Sequence, residues 1–211
     1  DKNYKAKKYQ HDLIDKYIDH NQKNLKILDL GGSIGGTLKH FDYNNNELFL
    51  SDYYDPYLNF AKKINIKAIK GELKDIDFKP DIIILSHVLE HWNDLENQIE
   101  ELIRIQKVNK TLNYIEFPGI DSLKLGRRNG DLLGDLHVPH IYYFHTKVFE
   151  NLMNRFGFEK IYMDREIKSI FIYTGKKEPL ENFFENVKRD LLKAEKKRKK
   201  IIFRRFVKLF L

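Results

Sequence analysis

The sequence predicts an α/β domain in which helices cover both faces of a mostly parallel, seven-stranded sheet. Three observations lead to this fold class. Short apolar runs alternate with stretches of helical periodicity up to Phe117, which is typical of repeated strand–helix units. Residues 81–86 form a continuous apolar, β-branched run, as expected for a strand buried on both faces. Two later apolar runs joined by a short polar turn predict a closing antiparallel hairpin.

The elements follow in order along the chain. Residues 4–20 carry apolar side chains at helical spacing and predict a first helix. Five strands are predicted at residues 26–30, 47–51, 67–70, 81–86 and 111–117, with helices between them at 57–63 and 93–106. A later helix at residues 146–156 is expected to end at Gly157, and the hairpin strands are predicted at 158–164 and 169–175.

Composition limits the class of protein. Of the 211 residues, 42% are hydrophobic and 33% charged, which is compatible with a packed core. The chain contains no cysteine, which excludes disulfides and thiolate chemistry. No apolar run is long enough to span a bilayer. The abundance of Lys, Asn and Ile indicates a bacterial protein, and we expect it in the cytoplasm.

The net charge of +7 lies at the C-terminus. Residues 180–211 hold 11 Lys/Arg and 4 Asp/Glu, so the rest of the chain is neutral. This asymmetry predicts a globular domain over residues 1–178 and a basic amphipathic helical tail over 179–211. A neutral core argues against nucleic acid as a partner. Cations mixed with bulky apolar residues predict that 181–211 binds an anionic membrane surface, peripherally on the inner face. A packing helix or a homodimer helix is the equal alternative.

A glycine-rich turn follows the first predicted strand and includes Gly31, Gly32, Ser33 and Gly35. Glycines at this place let backbone N–H groups approach a cofactor closely. Asp52, at the end of the second predicted strand, is placed where a carboxylate accepts ribose hydroxyls. These features fit a nicotinamide-dependent oxidoreductase as well as other nucleotide-like cofactors, or a tight turn in any α/β protein.

Several motifs distinguish between these readings. Residues 26–31 (KILDLG) resemble the first motif of class I S-adenosylmethionine-dependent methyltransferases, with Ser33 in place of the central glycine. Residues 80–91 (PDIIILSHVLEH) resemble the family's fourth-strand stretch, and residues 140–158 resemble its H-x-x-x-F-T segment, helix and closing G-F. The resemblance covers about residues 25–176. It implies a Rossmann-like fold and S-adenosylmethionine (SAM) as cofactor.

The resemblance also implies cofactor contacts at the carboxyl ends of the strands. The implied cofactor-binding residues are Asp29, Gly31, Gly32, Ser33, Gly35, Asp52, Tyr53, Glu72, Leu73, Ser86 and His87. Within this set, Asp29 is expected to accept a hydrogen bond from the cofactor ammonium, and Asp52 to hold the ribose. Tyr53 would cover the adenine. The family often has a glycine pair before its fifth strand, where this chain has residues 107–110 (KVNK).

Histidines are the candidates for catalysis, because an imidazole suits proton transfer from a hydroxyl acceptor near neutral pH. His140, His137 and His91 are the catalytic candidates, each with a structural role as the alternative. The spacing of His137, His140 and His145 also suggests a metal. Since the chain lacks cysteine and shows no Asp or Glu at ligand spacing, no metal is expected.

The functional prediction is methyl transfer from SAM to a small-molecule or sugar acceptor, in bacterial surface-polysaccharide synthesis. Three alternatives stay open at this point. They are a nicotinamide oxidoreductase, an RNA methyltransferase, and a binding protein that keeps the methyltransferase fold without activity. The substitution at Ser33 is the feature that supports the inactive alternative.

Overall fold

The computed structural model describes residues 2–125, 133, 136 and 139–208, so His137 lies outside the described residues. Seven strands form one sheet in the order β3-β2-β1-β4-β5-β7-β6. Their bounds are β1 Lys26–Leu30, β2 Glu47–Asp52, β3 Lys67–Lys70, β4 Ile82–Ser86, β5 Leu112–Glu116, β6 Phe158–Met163 and β7 Lys168–Tyr173. Strands β1 to β5 pair in parallel, and β7 pairs antiparallel with both β5 and β6. The predicted sheet and its closing hairpin are confirmed.

Five α-helices surround the sheet: α1 Lys2–Ile14, α2 Asp55–Lys63, α3 Leu95–Arg104, α4 Thr146–Arg155 and α5 Phe184–Lys208. Local signals set two of these boundaries. The Asp94 side chain accepts the backbone N–H of Asn97 and begins α3. Gly157, with φ +87°, follows the end of α4, as its position in the sequence predicted.

Two connections differ from the sequence prediction. The first helix was expected to reach residue 20, but it ends at Ile14, and a single 3₁₀ turn follows it. The second is the connection after the glycine-rich turn, where no element is predicted and the chain forms the 3₁₀ turn Leu38–Phe41. The polar run after that turn contains Asn44 and Asn45 with positive φ, which ends helical winding.

Apolar side chains fill both faces of the sheet. One face packs against α3 and α4, where Leu102 and Phe149 are fully buried. The opposite face packs against α1 and α2, where Ile14 and Ala61 are fully buried. Because every central strand is covered on both sides, the runs β1 and β4 are almost continuously apolar.

The sheet positions a ligand crevice. The chain leaves β1 toward β2 on one side and leaves β4 toward β5 on the other, so the connections diverge between these neighbouring strands. Open α/β sheets bind ligands at such a switch point, outside the carboxyl ends of the strands.

The C-terminal segment forms one long helix, α5, and its first part contacts the domain. The Asn151 side chain exchanges two hydrogen bonds with the backbone of Glu181, at 2.9 and 3.0 Å. On α5 itself, Asp190 Oδ2 lies 3.2 Å from His145 Nε2. Within the described residues, no helix combines the length and the apolarity needed to cross a bilayer.

Candidate active site

A cleft of about 470 Å³ opens at the carboxyl ends of β1 and β4. Its walls come from α1, the glycine-rich turn, α2 and the last residue of β4. The lining residues are Ala6, Lys7, Asp29, Gly31, Gly32, Ser33, Ile34, Gly36, Thr37, Tyr57 and Ser86. Five of the residues predicted from sequence to bind the cofactor, namely Asp29, Gly31, Gly32, Ser33 and Ser86, therefore share one cavity wall.

The glycine-rich turn bends through left-handed backbone conformations. Gly31, Ser33 and Gly35 have φ values of +67°, +54° and +70°. A Cβ on Gly32 would lie 2.7 Å from the Asp29 carboxyl carbon, so this position requires glycine. Ser33 thus adopts the conformation that the family's central glycine would take, at the cost of local strain.

Asp29 is a buried carboxylate that faces the cleft, and it is 3% exposed. Among the described residues, none donates a hydrogen bond to its side chain. Burial raises the pKa of Asp29 to about 7; the nearby Lys7 opposes this rise and the charge of Asp52 adds to it. A buried, ionised carboxylate without a donor is stabilised by a cation such as an ammonium group bound in the cleft.

The remaining predicted cofactor residues do not belong to the lining of the cleft. Asp52 accepts the backbone N–H groups of Ser33 and Tyr54, at 3.3 and 2.9 Å, which fixes its carboxylate beside the turn. Tyr53 is 63% exposed, and its hydroxyl interacts with the Glu72 carboxylate. Lys74 and, to a smaller extent, Tyr53 lower the pKa of Glu72.

Leu73 and Gly35 take structural positions. The Leu73 side chain is fully buried in the core, so any contact of this residue with a ligand comes from its main chain. Gly35 faces Ile66, and a Cβ there would lie 2.7 Å from the isoleucine Cδ1. It shapes the turn, whereas Gly36 lines the cavity.

Helix α1 covers the cleft with polar side chains. Gln10 is fully buried and links three elements at once. Its amide donates to Ser86 Oγ at 2.8 Å and to Glu116 Oε2 at 2.6 Å, and its oxygen accepts from Thr37 Oγ1. Lys7 Nζ lies 3.4 Å from Ser86 Oγ. These contacts join α1 to the ends of β4 and β5 and to the glycine-rich turn.

Glu116, the last residue of β5, is the centre of this polar network. Its carboxylate accepts from Tyr9 and Tyr114 hydroxyls at 2.8 and 2.7 Å, in addition to the Gln10 amide. Burial and the Glu116 charge raise the pKa of both tyrosines, so their hydroxyls stay protonated and act as donors. Together these bonds hold α1 against the sheet.

A histidine cluster lies at the carboxyl end of β4, directly after Ser86. It consists of His87, Glu90, His91 and His140. Glu90 Oε1 lies 3.3 Å from His87 Nδ1, 3.9 Å from His91 Nε2 and 4.0 Å from His140 Nε2. Two of the three predicted catalytic histidines, His91 and His140, are therefore neighbours in space, with ring centroids 4.9 Å apart. His137 is outside the described residues.

The cluster is supported by its surroundings. His87 has φ +57°, and its backbone N–H donates to the Glu116 carbonyl at 2.7 Å. The half-buried Trp92 follows His91 directly and packs its ring against the core. Glu90 brings close in space a carboxylate that the spacing of the three histidines along the sequence does not include.

His145, the third histidine of the spaced pattern, lies elsewhere. It begins α4, and its Nδ1 accepts the backbone N–H of Lys147 at 3.3 Å. Its Nε2 lies between the Asp121 and Asp190 carboxylates, at 3.0 and 3.2 Å. This histidine joins α5 to the domain and takes no part in the cluster around Glu90.

Sequence reasoning missed the contribution of α1 and β5. Gln10 and Glu116 are separated by more than a hundred positions, and no local pattern indicates that they meet. The available signal was weak: a polar Gln10 directly beside the predicted apolar face of the first helix. Glu90 belongs to the motif at residues 80–91, but that motif gives no sign of its contact with His140, fifty residues further along the chain.

Comparison with known proteins identifies the family. The sequence matches the family described as a methyltransferase domain over residues 3–162, more than half of the chain. The chain therefore belongs to this methyltransferase family. No curated protein sequence matches it significantly.

Solved structures share the fold at low sequence identity. A putative SAM-dependent methyltransferase from Methanococcus maripaludis gives a TM-score of 0.54 at 17% identity, covering 81% of this chain and 84% of that one. A SAM-dependent methyltransferase from Methanosarcina mazei gives 0.57 at 18%, covering 80% and 98%. Magnesium protoporphyrin IX methyltransferase from Synechocystis PCC 6803, solved with bound SAH, gives 0.57 at 15%, covering 79% and 81%.

The fold and the family together define a class I, Rossmann-like methyltransferase with SAM as its cofactor. The residues of the cleft fit this cofactor, because the glycine-rich backbone and the Asp29 carboxylate, which has no donor among the described residues, line the same cavity. The nicotinamide alternative finds no support in the family or in the structural relatives.

Proposed function

We propose that this protein transfers the SAM methyl group to a hydroxyl of a small acceptor, a sugar or sugar-like molecule of bacterial surface-polysaccharide synthesis. The observation that carries the proposal is the histidine cluster, which begins one residue after Ser86 at the edge of the cofactor cleft. An imidazole group beside the methyl donor is suited to remove a hydroxyl proton.

The cofactor is assigned to the cleft by charge. Asp29 is the acceptor for the cofactor ammonium, and Lys7, which also lines the cleft, is the partner for the cofactor carboxylate. Asp52, Tyr53 and Glu72 form the side of the site that takes the ribose and adenine. When bound, SAM supplies an electrophilic methyl group. The protein then has to align the acceptor oxygen with that group and to receive one proton.

The acceptor is assigned to the space beside the cluster. His140 and His91 are the candidates for the proton acceptor, with Glu90 behind them to stabilise the imidazolium that forms. His137 remains a candidate on sequence grounds. Trp92, Tyr142 and Tyr143 come from the two segments that carry His91 and His140. Aromatic rings beside hydrogen-bonding groups suit a sugar ring, which presents both C–H faces and hydroxyls.

The proposal is tested in two stages. Calorimetry first measures SAM binding, and nicotinamide cofactors serve as the negative comparison. A screen of nucleotide-sugars, phospho-sugars and glycan fragments then identifies an acceptor. His140→Ala should lower turnover about 10²- to 10⁴-fold while SAM affinity stays near that of the wild type. His20→Ala, at an exposed position distant in sequence from the histidine cluster, is the matched control. A protein that binds SAM but methylates no hydroxyl in the screen contradicts the acceptor proposal and favours a binding protein.

We also propose that the basic tail brings the enzyme to an anionic membrane surface. The support is its charge, since residues 180–211 carry the whole net charge of the chain. Vesicle co-sedimentation should show binding of the full chain to anionic lipid that salt weakens, and loss of binding when the chain ends at Glu178. If the full chain stays in the supernatant at low salt, the membrane proposal is wrong. A mass change between the two chains in ultracentrifugation would then identify a dimer helix.

A further inference from the structure

Glu90 is the most enclosed ionisable group of the histidine cluster. It is 1% exposed, and its Oε2 is shielded from solvent without a hydrogen-bond partner among the described residues. A buried carboxylate oxygen without a partner is costly, and native proteins rarely keep one without a reason. The other oxygen, Oε1, is directed toward three imidazoles.

Three ligand atoms converge in this cluster. One carboxylate oxygen of Glu90 and one ring nitrogen each of His91 and His140 lie within 4.8 Å of one another. Metal–nitrogen and metal–oxygen bonds of about 2.0–2.2 Å in a tetrahedral site separate neighbouring ligands by roughly 3.4 Å. The separations of 3.9 and 4.0 Å from Glu90 Oε1 therefore need to shorten by only about half an ångström.

The protonation of His91 is fixed by its neighbour. Its Nδ1 lies 2.8 Å from the Pro139 carbonyl oxygen, which accepts and never donates, so Nδ1 carries the proton. In the neutral ring Nε2 then keeps a lone pair on the side of Glu90. A second-sphere bond of this kind orients histidines that ligate metals.

Two chain segments hold the ligands together before any ion binds. The carbonyl of Glu90 accepts the backbone N–H groups of Ile141 and Tyr142, at 2.9 and 3.3 Å. With the contact between His91 and Pro139, three hydrogen bonds join the segment after β4 to the segment that carries His140. The ligands are thus placed by main-chain bonds on both sides.

We propose that Glu90, His91 and His140 bind a divalent metal ion of the Zn²⁺ type. Two imidazoles and one carboxylate form a three-ligand set that leaves a fourth coordination position open. The His91 side chain is 38% exposed, so solvent or an acceptor oxygen reaches that position. The ion also satisfies the enclosed charge of Glu90.

The role of this ion in the reaction rests on the proposed function, whereas binding of the ion does not. A hydroxyl coordinated to a divalent ion is more acidic than a free hydroxyl. Its proton passes to His87, which contacts Glu90 and is 48% exposed, and from there to solvent. With an ion bound, His91 and His140 would be ligands and not proton acceptors, and His87 would take over the role of proton acceptor.

A second group of possible ligands, Asp121, His145 and Asp190, serves as an internal comparison. In the neutral ring, His145 Nε2 carries the proton and faces the Asp121 and Asp190 carboxylates, because Nδ1 is an acceptor. Asp121 Oδ2 accepts both the backbone N–H and the hydroxyl of Thr146, and His145 Nδ1 accepts from Lys147. These bonds cap α4, so we assign no ion to this group.

The test measures metal binding directly. The full chain is stripped with a chelator, dialysed, and titrated with Co²⁺ and then Zn²⁺. We expect visible absorption bands of a low-coordinate Co²⁺ site at one ion per chain, which Zn²⁺ removes. Glu90→Gln and His140→Ala should each weaken Zn²⁺ binding at least about tenfold. His20→Ala and Asp190→Asn should bind as the wild type does.

Each result decides the proposal. Absent Co²⁺ bands, wild-type affinity in Glu90→Gln, or loss of affinity in Asp190→Asn overturns it. Near-ultraviolet circular dichroism checks the fold, and His140→Ala decides if Glu90→Gln does not fold. SAM binding is measured on the same samples. A chain that binds Zn²⁺ but not SAM contradicts the cofactor assignment alone, and a chain that binds SAM but not Zn²⁺ contradicts the metal site alone.

Discussion

Asp29 and Glu116 are both buried carboxylates near the carboxyl ends of parallel strands, and their surroundings are opposite. Glu116 receives hydrogen bonds from Tyr9, Gln10 and Tyr114, which tie α1 to the sheet. Asp29 receives none from the described residues, and burial raises its pKa to about 7. The protein thus satisfies one carboxylate with its own donors and leaves the other facing the cleft without a donor from the described residues. The first arrangement contributes to stability, and the second lowers it once Asp29 is ionised.

The largest expected effect on stability comes from removing Glu116, the carboxylate that accepts hydrogen bonds from the protein. Glu116→Ala removes the acceptor of two buried donors, on Gln10 and Tyr114, and of the exposed Tyr9 hydroxyl. Each buried donor left without an acceptor costs about 1–3 kcal/mol, so the free energy of unfolding should fall by roughly 2–6 kcal/mol. Urea denaturation measures it. Glu159→Ala, at an exposed position of β6, should change stability by less than about 0.5 kcal/mol. Equal losses in both variants would show that the network does not hold α1.

Asp29→Asn should act in the opposite direction on stability. The folded pKa of Asp29 lies above its unfolded value, so the folded state is favoured at low pH and loses stability as pH rises through about 7. The neutral amide avoids this loss. We expect a gain of roughly 2–4 kcal/mol at pH 8 and none at pH 4, in denaturant titrations at both values. A gain at pH 4 as large as that at pH 8 would rule out the charge as the cause.

The affinity for SAM should depend on the same ionisation of Asp29, but in the opposite direction: binding favours high pH. On the proposal that the SAM ammonium binds the ionised form of Asp29, affinity should fall by up to about tenfold per pH unit below pH 7. Calorimetry in buffers of different ionisation enthalpy measures the proton released on binding. Asp29→Asn should bind SAM at least about tenfold more weakly at pH 8, with the pH dependence gone. A variant that keeps the wild-type pH profile would place the titrating group elsewhere.

The smallest expected effect on stability concerns Ser33 in the glycine-rich turn. Ser33 has φ +54°, which glycine adopts without strain. Ser33→Gly should stabilise the protein by about 0.5–1 kcal/mol, because relief of the left-handed strain exceeds the entropy that glycine adds to the unfolded chain. Lys23→Gly, exposed and with ordinary backbone geometry, should lose stability instead. Thermal melts of the two variants decide the sign.

The strands were predictable because their signal is local. A continuous apolar run such as β4 is readable wherever both sheet faces are covered, and its predicted start differs from the observed one by a single residue. The structure of the connection after β1 was not predictable, because a glycine-rich turn is compatible with either a helix or a 3₁₀ turn. Which of them forms depends on the positive φ values of Ser33 and Gly35.

The lining of the cleft was also partly predictable, since five of the residues expected at the cofactor site share it. What the sequence could not provide was pairing across long separations. Gln10 meets Glu116, and Glu90 meets His140, only because the topology brings the ends of α1, β4 and β5 together. The raised pKa of Asp29 likewise follows from burial in the folded chain, which no motif states.

Trp92 gives the molecule an optical property that follows from its position. It is the single tryptophan of the sequence, and it stands next to His91, half-buried against the core. All emission excited selectively in the indole band therefore originates beside the histidine cluster. Ligands that reach this cluster should alter the quantum yield or the wavelength maximum of the unlabelled protein, so stopped-flow fluorescence offers a direct view of events on the acceptor side.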